Sequence, residues 1–258
     1  MRASKKATNF MWSGAFRVGK PLFHFGRERV LDFIEFLYPP VCLLCDDRCV
    51  ENRWLCTACM NRLRTSMNVK ILCSSDEFVY LKDGLFTDGF TTFWEFNSDL
   101  ETLIHRVKYG RMKRLARFLG ETAGSAMAKV GITPAPEAIV PVPLHKVRMR
   151  ERGYNQSAWI SMGLSGALSI PILQGALYRI RHTRTQTNLS GEQRQANVRN
   201  AFAMIRPETV RGKAVAIVDD VVTTGATMNA CAEKLKDAGA SSVLGIALAR
   251  PLLELSQV

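Results

Sequence analysis

Two adjacent carboxylates, Asp219 and Asp220, follow the apolar run Ala214-Val-Ala-Ile-Val218 and lead into Val-Val-Thr-Thr-Gly-Ala-Thr227. That order of residue types suits phosphate chemistry at the junction of a strand and a helix. Backbone N–H groups at such a junction point at one spot, and the positive end of the helix dipole reinforces them. Gly225 lets the backbone approach without a Cβ in the way, and the hydroxyls of Thr223, Thr224 and Thr227, with Ala226 between them, can donate further hydrogen bonds. Asp219 and Asp220 cannot help a phosphate. They suit the hydroxyls of a sugar and can orient a divalent cation through its waters. Together the set describes a pocket for a ribose 5-phosphate beyond the carboxyl end of a parallel strand. An ordinary strand-to-helix turn with an Asp or Thr cap needs fewer of these residues.

A second constellation is built of cysteine. The chain has seven, and five of them lie between Cys42 and Cys59. Cys42-x-x-Cys45 and Cys56-x-x-Cys59 can set four thiolates around one zinc, each pair forming a knuckle, while Cys49 between them is a substitute ligand. An odd count in this arrangement suits a metal site in a reducing compartment better than a disulfide framework. A thioredoxin-like role would need a Cys-x-x-Cys opening a helix in a βαβ setting, which this segment does not suggest. Closed four-cysteine sites are structural, so the zinc is assigned no catalysis. The segment has too few apolar side chains to fold alone, and metal binding would supply the missing stability.

The third feature is positive charge. A formal net charge of +12 and a pI near 9.6 favour polyanionic partners. Arg106, Lys108, Arg111, Lys113 and Arg114 form one cluster, Lys146, Arg148, Arg150 and Arg152 a second, and Arg179, Arg181 and Arg184 a third. Such clusters can neutralise the phosphates of DNA or RNA, and equally those of a small phosphorylated ligand. Tyr109, Tyr154 and Trp159 lie close to them and could stack on bases, although aromatics beside helical segments more often pack into the core. His105 is open to a functional or a packing role.

The elements that must carry these residues follow from apolar periodicity. Ala138–Val142, Lys213–Val218 and Val243–Ala249 read as buried strands, and Met228–Ala238 as a helix stopped by Gly239. Gly84–Phe96 alternates aromatics, as strands would. Leu100–Lys129 is helical, broken near Gly110, and a basic loop after Ala138–Val142 leads into a helix near Asn155. Strands alternating with helices imply an α/β fold with a mostly parallel sheet. Val30–Leu37 has helical spacing and ends at Pro39-Pro40. Asp32 and Glu35 dilute the basic face that a membrane-surface helix carries, which favours a docking helix. The first 27 residues hold six Lys or Arg and no acid. No secretory core follows them, so a frayed basic extension or, in a eukaryotic source, a transit peptide is expected. No apolar stretch reaches the length of a membrane span. A soluble, cytoplasmic protein is expected.

The string Ile217-Val-Asp-Asp-Val-Val-Thr-Thr-Gly-Ala-Thr227 resembles the phosphoribosyl pyrophosphate (PRPP) loop of type I phosphoribosyltransferases. The resemblance to the ComF family of competence proteins is closer. It extends over Leu103-Ile-His-Arg-Val-Lys-Tyr-Gly110, Val140-Pro-Val-Pro-Leu-His145 with Arg150-Glu-Arg-Gly-Tyr-Asn-Gln156, and Arg184-Thr-Gln-Thr-Asn-Leu-Ser190 through Asn197-Val198. It implies a type I phosphoribosyltransferase-like parallel sheet flanked by helices and preceded by a small zinc-ribbon-like module. The implied organisation is a basic extension and docking helix over 1–37, the zinc module over 38–75, and the phosphoribosyltransferase-like domain over 76–258. By the same resemblance Asp219 and Asp220 hold ribose hydroxyls, Thr223–Thr227 hold the 5-phosphate, and Arg148, Arg150 and Arg152 are candidates for the pyrophosphate loop. Thr183–Asn197 corresponds to the mobile loop over the site, and magnesium accompanies PRPP. A general base for an acceptor is not identifiable. The implied role is in DNA uptake during competence, with competence or DNA-translocation proteins as partners. Three forms of that role are expected. They are a phosphoribosyl-transferring enzyme, a single-stranded DNA-binding protein with a regulatory or vestigial pocket, and a PRPP-sensing regulator.

Overall fold

A computed structural model describes residues 39–49, 54–72, 85–131, 135–181 and 200–251. Met1–Pro40 is a unit of its own, of which only Pro39 and Pro40 are described, and the architecture below belongs to the unit Val41–Val258. The expected helix over Val30–Leu37, Cys73, Arg184 and the expected mobile loop Thr183–Asn197 lie outside the described residues.

The elements in chain order are α1 (Thr57–Thr65), β1 (Met67–Leu72), β2 (Gly89–Glu95), α2 (Ser98–Tyr109) and α3 (Lys113–Val130). They continue with β3 (Ala138–Pro141), α4 (Lys146–Arg152), α5 (Gln156–Leu168), β4 (Leu177–Arg179), β5 (Phe202–Met204), β6 (Ala214–Val221), α6 (Ala226–Asp237) and β7 (Ser242–Arg250). Five strands form one sheet in the order β1-β2-β7-β6-β3, and β4 pairs with β5 apart from it. The contacts of β2, β7, β6 and β3 are parallel, and β1 alone runs antiparallel, against β2. This is the α/β sheet that the apolar runs imply.

Both faces of the sheet are covered, which is why its strands read as continuous apolar runs. On one face Ala216, Val218, Ile246 and Leu248 meet Leu115 and Leu119 of α3 and Ile160 and Leu164 of α5. On the other, Val215, Ile217, Val243 and Ala247 meet Met228, Cys231 and Leu235 of α6. The strand β2 is likewise buried on both sides, so its aromatics are not the one-sided alternation that their spacing suggests. Helices α3 and α5 touch backbone to backbone. A Cβ on Gly163 would stand 2.1 Å from the Arg117 carbonyl oxygen, and one on Gly120 would stand 2.2 Å from that of Ile160.

The cysteine-bearing segment shares this core. Leu55, Met60 and Leu63 join Phe93, Trp94, Leu100 and Leu103 in the cluster under the first face. The buried Trp94 indole donates to the Leu63 carbonyl at 2.9 Å, which ties the end of α1 to the sheet. The strand β1 continues directly from α1 into the main sheet.

The segment expected as a basic loop contains a helix of its own. His145 accepts from the Val147 amide through Nδ1 and caps α4, and Gly153, at φ 77°, ends it in the left-handed conformation. Both are helix boundary signals that the density of positive charge obscured. Asn155 then caps α5 and donates to the Val142 carbonyl at 2.9 Å, fixing α5 to the end of β3.

Candidate functional site

The strand β6 lies between β7 and β3 and carries Asp219 and Asp220 at its C-terminal end. The chain then turns through Val222–Gly225 into α6. Gly225 adopts φ 75°, where a side chain is strained, and serves as the N-cap of α6 with no side-chain cap bond. Gly225 itself has no side chain to cap the first amides of α6, and Thr224 Oγ1 accepts from the Ala226 amide only at 3.5 Å. Around them Asp219, Thr223, Thr224, Gly225, Ala226 and Thr227 line a cavity of about 50 Å³. A water needs roughly 10–15 Å³, so the space suits the few oxygens of a phosphate.

The carboxylates are held from three elements. Ser157, near the start of α5, donates to Asp219 Oδ1 at 2.8 Å, and the Asp220 amide donates to the same oxygen at 2.9 Å. Lys108, in the last turn of α2, places its Nζ 3.1 Å from Asp220 Oδ1. Asp220 is 5% exposed, and its Oδ2 is buried with no hydrogen-bond partner among the described residues. Burial, and then the charge of Asp220, push the Asp219 carboxyl up to about 7, although Ser157, the Asp220 amide and Lys108 pull the other way.

The wall opposite is the segment after β3. The Tyr154 hydroxyl donates to the Val107 carbonyl and pins the end of α2 beside the carboxylates. Burial raises this phenol to about 12, so it stays a donor. On α4, Arg148 and Arg152 share a face at i,i+4 spacing and are half-buried, whereas Arg150 faces solvent. Arg152 lies 5.6 Å over the Tyr109 ring, and its Nη1 is buried without a hydrogen-bond partner among the described residues. Arg179, on β4, is half-buried over the Phe202 ring. Burial lowers its basicity while Asp219 counteracts this.

The basic run on α2 and α3 splits. Leu100, Leu103, Ile104 and Val107 form the buried stripe of α2, and Lys108 stands four residues beyond Ile104 on its edge, which turns it toward Asp220. Arg106, Arg111, Lys113 and Arg114 are exposed. Lys113 lies over the half-buried Trp159 ring, and Tyr154 is buried, so both are less accessible than Tyr109, which itself carries Arg152 over its ring. Tyr109 is 64% exposed, with the exposed His105 ring 4.8 Å away. Ser157 lies just outside the Arg150–Gln156 motif, and the motifs that hold Tyr154 and Lys108 do not reveal the Val107 contact of the one or the inward turn of the other. For Lys108 the helical phase relative to Ile104 is the signal that finds it.

The sulfurs of Cys42, Cys45, Cys56 and Cys59 all lie within 4.8 Å of one another, and those of Cys45 and Cys56 are 3.6 Å apart. Cys49 is buried but outside this group. Only the first pair sits in a turn. The second opens α1, with Cys56 as N-cap accepting from the Cys59 amide, so it is a helix start rather than the second expected knuckle, and α1 leads into the antiparallel β1 rather than a βαβ unit. The Cys42 thiol is lowered to about 6, because backbone hydrogen bonds from Cys56, Leu44 and Cys45 outweigh the upward push of burial. Burial and the neighbouring cysteines raise Cys59 to about 11. Four thiols this close cannot all ionise without a cation between them, which is the chemistry of a metal seat. Arg62 donates to Cys59 Sγ at 3.5 Å and is anchored by Asp99 at 2.6 Å.

Residues 163–251 match the family model described as phosphoribosyl transferase domain. Competence protein F of Haemophilus influenzae is 32% identical over 78% of this chain and 92% of its own length. DNA utilization protein YhgH of Escherichia coli K12 is 32% identical over 83% of this chain and 98% of its own length. Among solved structures, the allosteric regulatory enzyme of purine biosynthesis aligns over 52% of this chain and 26% of its own length, at 23% identity and a TM-score of 0.36.

The raised Asp219 carboxyl gives a pH signature. The folded protein binds a proton that the unfolded chain releases between about pH 4 and 7, so the stability Asp219 contributes is full below that window and is lost as pH rises through it. Asp219→Asn removes the charge but not the shape. Thermal unfolding of the ligand-free proteins should show the variant gaining Tm over wild type as pH rises from 5 to 8. An equal Tm difference at both pH values would contradict the raised carboxyl.

Proposed function

This chain belongs to the ComF family, and on that premise we propose that it binds PRPP at Asp219, Asp220 and the Thr223–Thr227 loop and acts in handling DNA during uptake. The observation that carries the reading is the buried Asp220 carboxylate, with one oxygen lacking a partner among the described residues, beside a phosphate-sized cavity at a helix start. A ribose 5-phosphate supplies both missing partners: diol donors for the carboxylates and phosphate oxygens for the amides of α6 and the threonine hydroxyls. Arg148 and Arg152 are the pyrophosphate contacts in this reading, and the solvent-facing Arg150 is not needed for it. Asp219 and Asp220 would hold magnesium through its waters, and that ion supplies neutralisation of the pyrophosphate charge. As an enzyme the protein breaks the bond from ribose C1 to pyrophosphate and forms one from C1 to an acceptor nucleophile. The acid pair and Ser157 orient the sugar, and Tyr154 fixes the wall that carries Lys108. The names of the relatives, competence protein F and DNA utilization protein, support the DNA-uptake part. Competence or DNA-translocation proteins in the cytoplasm are the partners it would meet.

A second reading, binding of single-stranded DNA with the pocket regulatory or vestigial, draws on the exposed Tyr109 among Arg106, Arg111, Lys113 and Arg114. Stacking on one aromatic amid phosphate-neutralising cations is the usual means of holding a single strand.

For the cysteine group we assign a structural zinc in the segment over 38–75, whose β1 joins the main sheet that residues 76–258 complete. Four sulfurs at about 2.3 Å from one zinc stand roughly 3.8 Å apart, close to the 3.6 Å between Cys45 and Cys56.

Calorimetric titration of Mg-PRPP should give saturable heat with wild type and none with the Asp219→Asn, Asp220→Asn double variant. No heat with wild type would contradict the pocket and favour the DNA-binding reading. Elemental analysis should find one zinc per chain, lost with reduced stability in Cys42→Ser. A metal-free, well-folded wild type would contradict the zinc.

A further inference from the structure

An acidic pair at the end of a buried strand is a natural trap for divalent cations, and a pocket filled by a free cation would meet its ligand already occupied. The structure places a lysine against it instead. Lys108 Nζ stands 3.1 Å from Asp220 Oδ1, with the lysine side chain 24% and the aspartate side chain 7% exposed. Lys108 is not there by chance of a flexible surface chain. Its helix is capped by Asn97, buried along Leu100, Leu103, Ile104 and Val107, and bonded at Val107 to the Tyr154 hydroxyl. The ammonium enters from the helix edge, and its partial exposure leaves it a way out.

We propose that Lys108 is the resident cation of this site, neutralising Asp220 in the ligand-free pocket so that a divalent cation enters only together with the phosphoribosyl ligand. The inference rests on the PRPP reading above for the identity of the ligand, but its first consequence concerns metal alone. A dication facing Asp219 and Asp220 must either displace the ammonium or bind beside it, and like charges within a few ångström disfavour both. A ligand that brings its own negative charge changes the balance, because the displaced ammonium then gains a new anionic partner. Asp220 Oδ2, buried and without a partner among the described residues, remains for the incoming group. A site built this way selects the metal-complexed phosphoribosyl ligand over free cation.

The test uses the full-length, zinc-loaded protein and Mn²⁺ alone as the probe, with protein-bound Mn²⁺ measured by equilibrium dialysis, so that Mn²⁺ held by added PRPP in solution is not counted. Hard Mn²⁺ prefers carboxylates to the cysteine group. Wild type and Lys108→Arg should bind Mn²⁺ weakly, and Lys108→Met about tenfold tighter or more, because a unit charge has been removed at hydrogen-bonding distance. The gain should vanish in Lys108→Met combined with Asp220→Asn, and wild type should bind Mn²⁺ stoichiometrically once PRPP is added. A Lys108→Met variant no tighter than wild type, or a gain that survives Asp220→Asn, would overturn the proposal. So would tight binding of Mn²⁺ alone to wild type that Asp220→Asn abolishes, a result that needs no lysine variant to fold. Failure of the PRPP reading itself would appear differently, as normal Mn²⁺ behaviour without PRPP and no response to its addition.

Discussion

Two neighbouring carboxylates on the central strand, largely withdrawn from water, must each be compensated, and much of the chain is arranged to do so. A charge in that position is costly unless it is paired and hydrogen-bonded. Ser157 of α5 and the Asp220 amide serve Asp219, and Lys108 of α2 serves Asp220. Each donor is in turn fixed by something remote. The cap at Asn155 and its bond to Val142 set the start of α5, and the Tyr154 hydroxyl sets the end of α2. The close contact of α3 and α5 at Gly120 and Gly163 keeps that side of the sheet in one position. Among the described residues, compensation is left incomplete at Asp220 Oδ2.

The cysteine group belongs to the same physical frame. Two of its thiols, Cys56 and Cys59, open α1, whose Leu63 is bonded to Trp94 and packed with Leu100 and Leu103 of α2. A metal seated among Cys42, Cys45, Cys56 and Cys59 would therefore stiffen the support of the helix that carries Lys108, although it is chemically separate from the acid pair. This gives a structural zinc a consequence for the site without any part in its chemistry.

What was legible in the sequence were the features with a strong local period or a fixed spacing. The strand β6, its acids and the Thr/Gly loop stand out because a doubly covered parallel strand is apolar throughout and the turn that follows it is not. The two Cys-x-x-Cys pairs announce a four-sulfur group, but not that Cys56 would act as a helix cap, since the same spacing serves a turn and a first helical turn. The run Lys146–Arg152 reads as a loop by charge, whereas His145 and Gly153 make it a helix and thereby separate Arg150 from Arg148 and Arg152. Lys108 sits in a run of like residues whose directions only the helix phase distinguishes. Ser157 and Tyr154 act through contacts with Asp219 and Val107 that are distant in the chain, and no local pattern encodes those.

The central claim is that the β6–α6 turn is a phosphate seat and the acid pair its sugar seat. Amide chemical shifts on titration with ribose 5-phosphate test it at the residues concerned. The account predicts the largest shifts at Thr224, Gly225, Ala226 and Thr227, with smaller ones at Asp220. Shifts confined to the exposed Arg106, Arg111 and Arg114, with the turn unmoved, would contradict it.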